Sequence, residues 1–318
     1  MKVIEHLATA KNPHISVEII PPKRGSNIHQ LYKAIESVLP YKPAFIDVTS
    51  HAAEAILEEM PDGTIKRRTK RKSPGTFGLC AAIKYKYNID PVPHLLCNGF
   101  TREETEDALI ELNYLGVENL LLIRGDGQPR KDSAGRTTNN YALDLVKQVA
   151  NMNQGIYQDM LIDAHPANFC IGVAAYPEKH FESPNLNFDI ENLLAKQNAG
   201  AEYAVCQMFF SNQYYFSFVE YARKKGVTIP ILPGLKILTS KKQLNSIPRS
   251  FFVNLPDALV SEILDAPDDK TVLEIGINWT FQQSIELLET GINHLHFYIM
   301  QNTTPFIRLM DKLHPKIN

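Results

Sequence analysis

The feature that most constrains this chain is a regular alternation of short apolar runs with longer amphipathic stretches. The apolar runs have the length of buried strands, and they lie at 14–20, 44–49, 92–97, 119–124, 169–175, 203–209, 229–233 and 294–299. The amphipathic stretches indicate helices near 27–39, 77–87, 101–115, 141–152, 187–199, 212–225, 240–247 with 256–264, 271–290 and about 304–313. Eight strand-then-helix units predict a parallel sheet that closes into a single (β/α)8 or TIM barrel. A doubly wound open sheet is the alternative, and the absence of a GxGxxG turn disfavours it.

The size and composition are compatible with one such unit over residues 1–318, with a loop insertion at about 58–76. A net charge of -2 gives no reason to expect a nucleic-acid or membrane partner. The beginning of the chain lacks the apolar core of a signal peptide, so we expect a cytoplasmic protein. The cysteines lack CxxC spacing, which predicts reduced thiols rather than disulfides or a metal cluster, at Cys80, Cys97, Cys170 and Cys206.

One acidic residue interrupts the first apolar run, in the sequence Ser16-Val17-Glu18-Ile19-Ile20-Pro21-Pro22. Side chains alternate along a strand, so Glu18 shares a face with Ser16 and lies opposite Val17 and Ile19. A buried carboxyl group is costly unless it is paired or keeps its proton, and a neutral carboxyl group is what a general acid needs. The alternative interpretation is a solvated glutamate on an edge strand.

Polar residues cluster where the other predicted strands end. They are Thr49, Ser50 and His51, then His94, then Arg124-Gly125-Asp126, then Tyr176 to His180, then Gln207, and finally His296 and Tyr298. Because barrel enzymes carry their chemistry at the carboxyl ends of the strands, these residues predict one site at that end. Gly125 at a strand end would let a flat ligand approach the backbone closely.

Taken together, these motifs resemble the methylenetetrahydrofolate reductase family, in its bacterial form that consists of the catalytic barrel alone. The motifs are Val17 to Pro22, Asp47-Val48-Thr49, Pro93-His94-Leu95, Leu122 to Asp126, Val173 to His180, Asn198 to Ala201, Gln207 to Phe210, Pro233-Gly234 and His296-Phe297-Tyr298. The resemblance implies an FAD-dependent oxidoreductase of one-carbon metabolism and methionine biosynthesis. Such an enzyme uses NADH or NADPH to reduce 5,10-methylenetetrahydrofolate to 5-methyltetrahydrofolate by ping-pong hydride transfer. It also implies a homo-oligomer with small-molecule substrates.

The resemblance assigns a role to individual residues. Glu18 matches the family's general acid, and Asp126 matches the aspartate that lies beside the flavin and the pterin. Substrate contacts are implied for Gln207, Gln243 and Tyr298. FAD contacts are implied for Thr49, Ser50, Ala52, His94, Arg124, Gly125, Asp126, Ala142, Tyr176, His180, Asp189, Asn192 and Lys196.

Four positions depart from the family pattern. Ser50, Ala195 and Ile247 replace a tyrosine, an arginine and an aromatic residue that many members carry, and the arginine that often follows the last strand is absent near Asn302. These departures leave two alternatives open. One is a flavin- or folate-binding subunit that receives electrons from a partner, and the other is a different FAD-dependent barrel, similar to proline dehydrogenase. A metal-dependent hydrolase is disfavoured, because no His and carboxylate ligands have the usual spacing.

Six of the seven residues from Lys66 to Lys72 are basic. The simplest interpretation of the insertion is a solvated, mobile loop. The alternative is that its charge attracts an anion to the catalytic face, such as NADH or the polyglutamate tail of a folate.

Overall fold

A closed barrel of eight parallel strands forms the body of the protein in the computed structural model, which describes residues 1–10, 12–51, 54–70, 73, 75–125 and 137–317. The barrel strands are β1 (His14–Ile19), β2 (Phe45–Val48), β5 (Asp90–Leu96), β6 (Asn119–Ile123), β7 (Cys170–Ala175), β8 (Tyr203–Met208), β9 (Ile231–Leu235) and β10 (His294–Met300). The strand order around the barrel is β1-β10-β9-β8-β7-β6-β5-β2. The predicted (β/α)8 barrel is confirmed, and the doubly wound open sheet is wrong because β1 pairs with both β2 and β10.

The first helix precedes β1, and the other helices follow strands around the outside of the barrel. The helices are α1 (Val3–Thr9), α2 (Ile28–Val38), α3 (Thr76–Tyr87), α4 (Arg102–Tyr114), α5 (Ala142–Met152), α6 (Leu186–Asn198), α7 (Asn212–Lys224), α8 (Gln243–Phe251), α9 (Asp257–Asp265), α10 (Asp269–Glu289) and α11 (Thr304–Ile317). A single 3-10 turn, Leu39–Tyr41, follows α2. Within the described ranges, no helix has both the length and the apolar character needed to cross a membrane.

The helix α1 is an element that the sequence analysis did not predict. It is only seven residues long, too short for a clear periodic pattern. Val3 is fully buried and packs with Phe45, Val92 and Leu121, which point into the lower part of the barrel. Helix α1 therefore packs on the amino-terminal end of the barrel, where the buried polar residues Asn119 and His294 accompany these apolar side chains.

The loop insertion predicted at 58–76 contains most of a β-hairpin, so its interpretation as a loop is wrong over the strand residues 58–59 and 65–70. Strands β3 (Glu54–Glu59) and β4 (Ile65–Lys70) pair antiparallel, with Glu58 opposite Lys66. Arg68 also pairs with Glu58, at 2.9 Å between Nε and Oε2. Opposite charges on facing strands stabilise such a pair. Arg71 and Lys72, at the end of the basic run, lie outside the described residues.

Candidate active site

Glu18 lies at the centre of a group of polar side chains inside the upper half of the barrel. The side-chain alternation of β1 turns Val17 and Ile19 toward the helices and Glu18 toward the barrel axis. Glu18 is 8% exposed, and its Oε2 lies 3.6 Å from Nε2 of His94 on β5. The predicted burial of this carboxyl group is confirmed, and the solvated edge-strand alternative is wrong.

Burial raises the pKa of Glu18 to about 7, against an ordinary value of 4.5. Burial is the largest influence on this pKa, because it disfavours the charged form. The electrostatic effect of His94 lowers the pKa, that of Asp47 raises it, and that of Lys236 lowers it. The Glu18 carboxyl group therefore carries its proton over part of the neutral pH range.

Asp47 and two histidines extend this group deeper into the barrel. Oδ1 of Asp47 lies 3.5 Å from Nε2 of His94, and Oδ2 lies 3.9 Å from Nδ1 of His296. Ser16 Oγ lies 2.8 Å from His296 Nδ1. Burial raises the pKa of Asp47 well above its usual range, lowers the pKa of His94, and lowers that of His296 to about 3. Burial therefore disfavours the charged form of each of these groups.

His296 belongs to the polar cluster predicted from the sequence, Asp47 was predicted only as part of a motif, and Lys236 was not predicted. Lys236 directly follows the buried strand β9, and its ammonium group donates a hydrogen bond of 2.8 Å to the carbonyl oxygen of Tyr298. Burial lowers the pKa of Lys236 to about 8, although the Glu18 charge opposes that shift. A lysine at the end of an apolar strand was the signal that could have identified it.

The residues implied for FAD lie along one side of the barrel rim. Thr49 and Ser50 follow β2, His94 is in β5, and Arg124 and Gly125 follow β6. Ala142 begins α5, Tyr176 and His180 follow β7, and α6 carries Asp189, Asn192 and Lys196. The strands β2, β5, β6 and β7 are consecutive in the barrel, so these residues share one arc. Ala52 and Asp126 lie outside the described residues.

Three of these residues form a connected cluster between β7 and α6. Asp189 accepts hydrogen bonds from the His180 backbone N–H, at 2.7 Å, and from the Ser183 hydroxyl group. The Lys196 ammonium group donates to the Ala174 carbonyl oxygen at 3.0 Å, and burial lowers its pKa to about 8. Lys196 lies in the last turn of α6, and its partly buried ammonium group suits an anion such as a pyrophosphate.

The neighbouring part of the rim has a different arrangement. The Arg124 guanidinium group pairs with Glu182, at 2.6 Å between Nη1 and Oε2. Gly125 has a left-handed backbone (φ 83), and its carbonyl oxygen accepts a hydrogen bond of 3.0 Å from the Asn98 amide group. Glycine is favoured at this φ, so the backbone after β6 stays unobstructed by a side chain. The Lys196 cation suits an anionic cofactor such as FAD, and Gly125 adds no side chain of its own to the rim, where Leu96 and Asn98 lie 3.4 to 3.6 Å from its Cβ position.

The residues implied for substrate lie on the opposite side of the barrel. Gln207 is in β8, and its Oε1 accepts from the Met208 N–H at 2.9 Å. Gln243 begins α8, and its Oε1 accepts from the Thr239 N–H at 2.6 Å, which leaves its NH2 group available to a ligand. A cavity of about 240 Å³ lies beside Gln243, and Lys236, Tyr298 and Asn302 also line it.

Tyr298 crosses a neighbouring strand, and a glycine makes this crossing possible. Its hydroxyl group donates a hydrogen bond of 2.6 Å to the Cys206 carbonyl oxygen on β8, although β9 lies between β10 and β8. A Cβ atom on Gly234 of β9 would lie 2.7 Å from the Tyr298 ring and 2.2 Å from the Cys206 oxygen. Tyr298 therefore forms part of the inner wall between the Glu18 group and the cavity.

The profile of a protein family described as methylenetetrahydrofolate reductase matches residues 2–314 of the chain. Methylenetetrahydrofolate reductase 1 of Schizosaccharomyces pombe is 29% identical over 90% of this chain and 43% of its own length. The 5,10-methylenetetrahydrofolate reductase of Salmonella typhimurium is 27% identical over 90% of this chain and 86% of its own length. The chain spans about half the length of the two yeast relatives: 43% of the Schizosaccharomyces pombe protein and 49% of methylenetetrahydrofolate reductase 2 of Saccharomyces cerevisiae. It spans 86% of the length of the Salmonella protein.

A solved structure supports the same fold. A protein from Clostridium thermocellum that binds two copies of 5-methyl-5,6,7,8-tetrahydrofolic acid superposes with a TM-score of 0.60. The two chains share 12% identity, and the match covers 99% of each. At this identity the likeness concerns the course of the backbone.

Proposed function

This chain belongs to the methylenetetrahydrofolate reductase family, and from that premise we propose that it reduces 5,10-methylenetetrahydrofolate to 5-methyltetrahydrofolate with FAD and NADH or NADPH. The observation that carries the proposal is the buried Glu18 carboxyl group, whose pKa is raised to about 7 at the catalytic end of the barrel. Titratable groups perturbed in this way are concentrated at functional sites. The bacterial relatives of nearly the same length carry the name of this activity.

FAD would lie along the arc formed by β2, β5, β6 and β7. Lys196 would contribute a positive charge toward its pyrophosphate, and the backbone at Gly125 would leave room for its ring system. Asp126 and Ala52 are proposed contacts from the family resemblance alone. FAD held there would supply the hydride chemistry that links NAD(P)H to the methylene carbon of the folate.

Glu18 would act as the general acid of the folate half-reaction. The five-membered imidazolidine ring of the substrate opens only if its leaving nitrogen receives a proton. Burial lets the Glu18 carboxyl group keep a proton near neutral pH, so it can donate that proton at the pH where the enzyme works. Gln207, Gln243 and Tyr298 would orient the folate from the opposite side of the barrel.

Two half-reactions separate the role of Glu18 from binding. In anaerobic stopped-flow measurements, NADH should bleach the flavin absorbance of the purified protein, and methylenetetrahydrofolate should restore it. In Glu18→Gln, bleaching by NADH should survive, while reoxidation by folate should fall by about two orders of magnitude or more. Glu111→Gln, on an exposed position of α4, is the matched control and should behave as wild type.

Other outcomes would refute specific parts of the proposal. A flavin that dithionite bleaches but NADH does not would favour a subunit that receives electrons from a partner. If the protein shows no flavin absorbance even after FAD is added, the proposal that FAD is its cofactor is wrong. If Glu18→Gln lowers the rates of both half-reactions equally, Glu18 is not the general acid. That result would not contradict the proposed activity.

A further inference from the structure

Glu18 and Lys236 lie at the same level of the barrel, on either side of β10. Glu18 and Tyr298 are Cα partners between β1 and β10, and Leu235 pairs in the same way with Phe297 between β9 and β10. Lys236, one residue after Leu235, donates to the Tyr298 carbonyl oxygen at 2.8 Å. The hydrogen bond fixes the ammonium group beside the strand that separates β9 from Glu18.

We propose that Lys236 is a positioning residue for the general acid Glu18. The Tyr298 carbonyl oxygen holds the Lys236 ammonium group so that its positive charge lies near Glu18. This charge limits how firmly the Glu18 carboxyl group holds its proton. The consequence for catalysis rests on the proposed function. The coupling between the two charges does not depend on it, so the two ideas can fail separately.

Burial opposes a charge on each of the other groups that face Glu18. Burial lowers the pKa of His94 on β5 and raises that of Asp47 on β2. On β10, burial raises the pKa of the Tyr298 hydroxyl group well above its usual range. Lys236, with a pKa of about 8, is charged at pH 7. The electrostatic effect of Lys236 lowers the pKa of Glu18, as that of His94 does, while that of Asp47 raises it.

A cation at this position makes chemical sense for a general acid. Burial alone favours the protonated carboxyl group, and an acid that holds its proton too firmly donates it slowly. The charge of Lys236 favours the carboxylate that forms when Glu18 releases its proton. It therefore offsets part of the effect of burial and keeps Glu18 able both to donate and to be reprotonated near neutral pH.

The first test measures the protonation of Glu18 directly. The infrared carbonyl band of its neutral carboxyl group, identified by its loss in Glu18→Gln, is titrated with pH in wild type, Lys236→Met and Lys236→Arg. Without the cation the midpoint should rise by about one pH unit or more, because an opposite charge nearby favours ionisation. Lys236→Arg keeps the charge and should titrate close to wild type. An unchanged midpoint in Lys236→Met, or equal rises in both variants, would overturn the proposal.

A second measurement leaves Lys236 in place. The Cε resonance of Lys236, assigned by its loss in Lys236→Arg, is titrated by NMR in wild type and in Glu18→Gln. Because the Glu18 charge favours the ammonium form, the Lys236 midpoint should fall in Glu18→Gln, and an unchanged midpoint would refute the coupling. Both titrations omit folate and NADH, so their result does not depend on the proposed activity.

Activity then tests the catalytic consequence. In the folate half-reaction, the descending limb of the pH profile should move to higher pH in Lys236→Met and stay in place in Lys236→Arg. The infrared midpoint of Glu18 could shift in Lys236→Met while the pH profile of the folate half-reaction stays in place. That result would mean that the two charges interact but that Lys236 has no effect on proton donation by Glu18.

Discussion

The burial of Glu18 predicts a specific pH dependence of stability that can be measured without substrate or cofactor. The comparison is between wild type and Glu18→Gln, which keeps the shape of the side chain but cannot ionise. At acid pH both side chains are neutral, so the difference in their free energies of unfolding is constant. As the pH rises, wild type must place a carboxylate in the barrel and should lose stability relative to the variant.

The magnitude follows from the pKa of Glu18. Burial raises this pKa from 4.5 to about 7, and this difference corresponds to about 3 kcal/mol. Between these two pH values the folded state binds more protons than the unfolded state, so its stability falls as the pH rises. The advantage is fully present below pH 4.5 and is lost as the pH passes through 7.

The assay is equilibrium unfolding in urea from pH 4.5 to 8.5, followed by far-UV circular dichroism and by the fluorescence of Trp279. The free energy of wild type relative to Glu18→Gln should fall by about 3 kcal/mol across this range. Glu220→Gln is a control of opposite sign, because a hydrogen bond from Lys224 lowers the pKa of Glu220 on the protein surface. Wild type should therefore gain stability relative to that variant as the pH rises through the acidic range. A flat difference for Glu18→Gln would refute the assigned burial.

Three further predictions concern other parts of the molecule. Gly234→Ala should lower the free energy of unfolding by about 3 kcal/mol, because its Cβ would meet a backbone oxygen at 2.2 Å. The matched variant Gly78→Ala, in α3, places a Cβ with no atom within 4 Å and should be neutral or stabilising in the same urea assay. Lys196→Met should weaken FAD binding by about 10-fold or more, because it removes a charged donor; unchanged fluorescence quenching of FAD by the apoprotein would contradict this role. Neutralising Lys66 and Arg67 in β4 should raise the KM for polyglutamylated folate more than for the monoglutamate, and equal effects would contradict the attraction of anions by the hairpin.

Local patterns in the sequence were sufficient for most of the architecture. The short apolar runs predicted the bounds of all eight barrel strands within a few residues. This was possible because the apolar pattern of a strand can be read from its own sequence, without knowing which strands pair with it. The capping pair of Thr101 and Glu104 forms as a sequence motif of this type predicts, with Thr101 Oγ1 accepting from the Glu104 N–H at 3.1 Å. The hairpin of 54–70 was missed because its composition is dominated by charge, and its stability depends on pairing between two strands rather than on burial.

The sequence by itself determined the barrel, the end of the barrel that carries polar groups, and the position of a carboxyl group on the inner face of the first strand. These properties depend on side-chain period and on residue type, which are local. Only the tertiary structure decided which groups surround that carboxyl group. Closure of the barrel joins β1 to β10 and β2, and this brings Glu18 next to His94, Asp47 and Lys236, which lie far away along the chain. Burial and charge act through space, so the pKa of Glu18 is a property of the closed barrel.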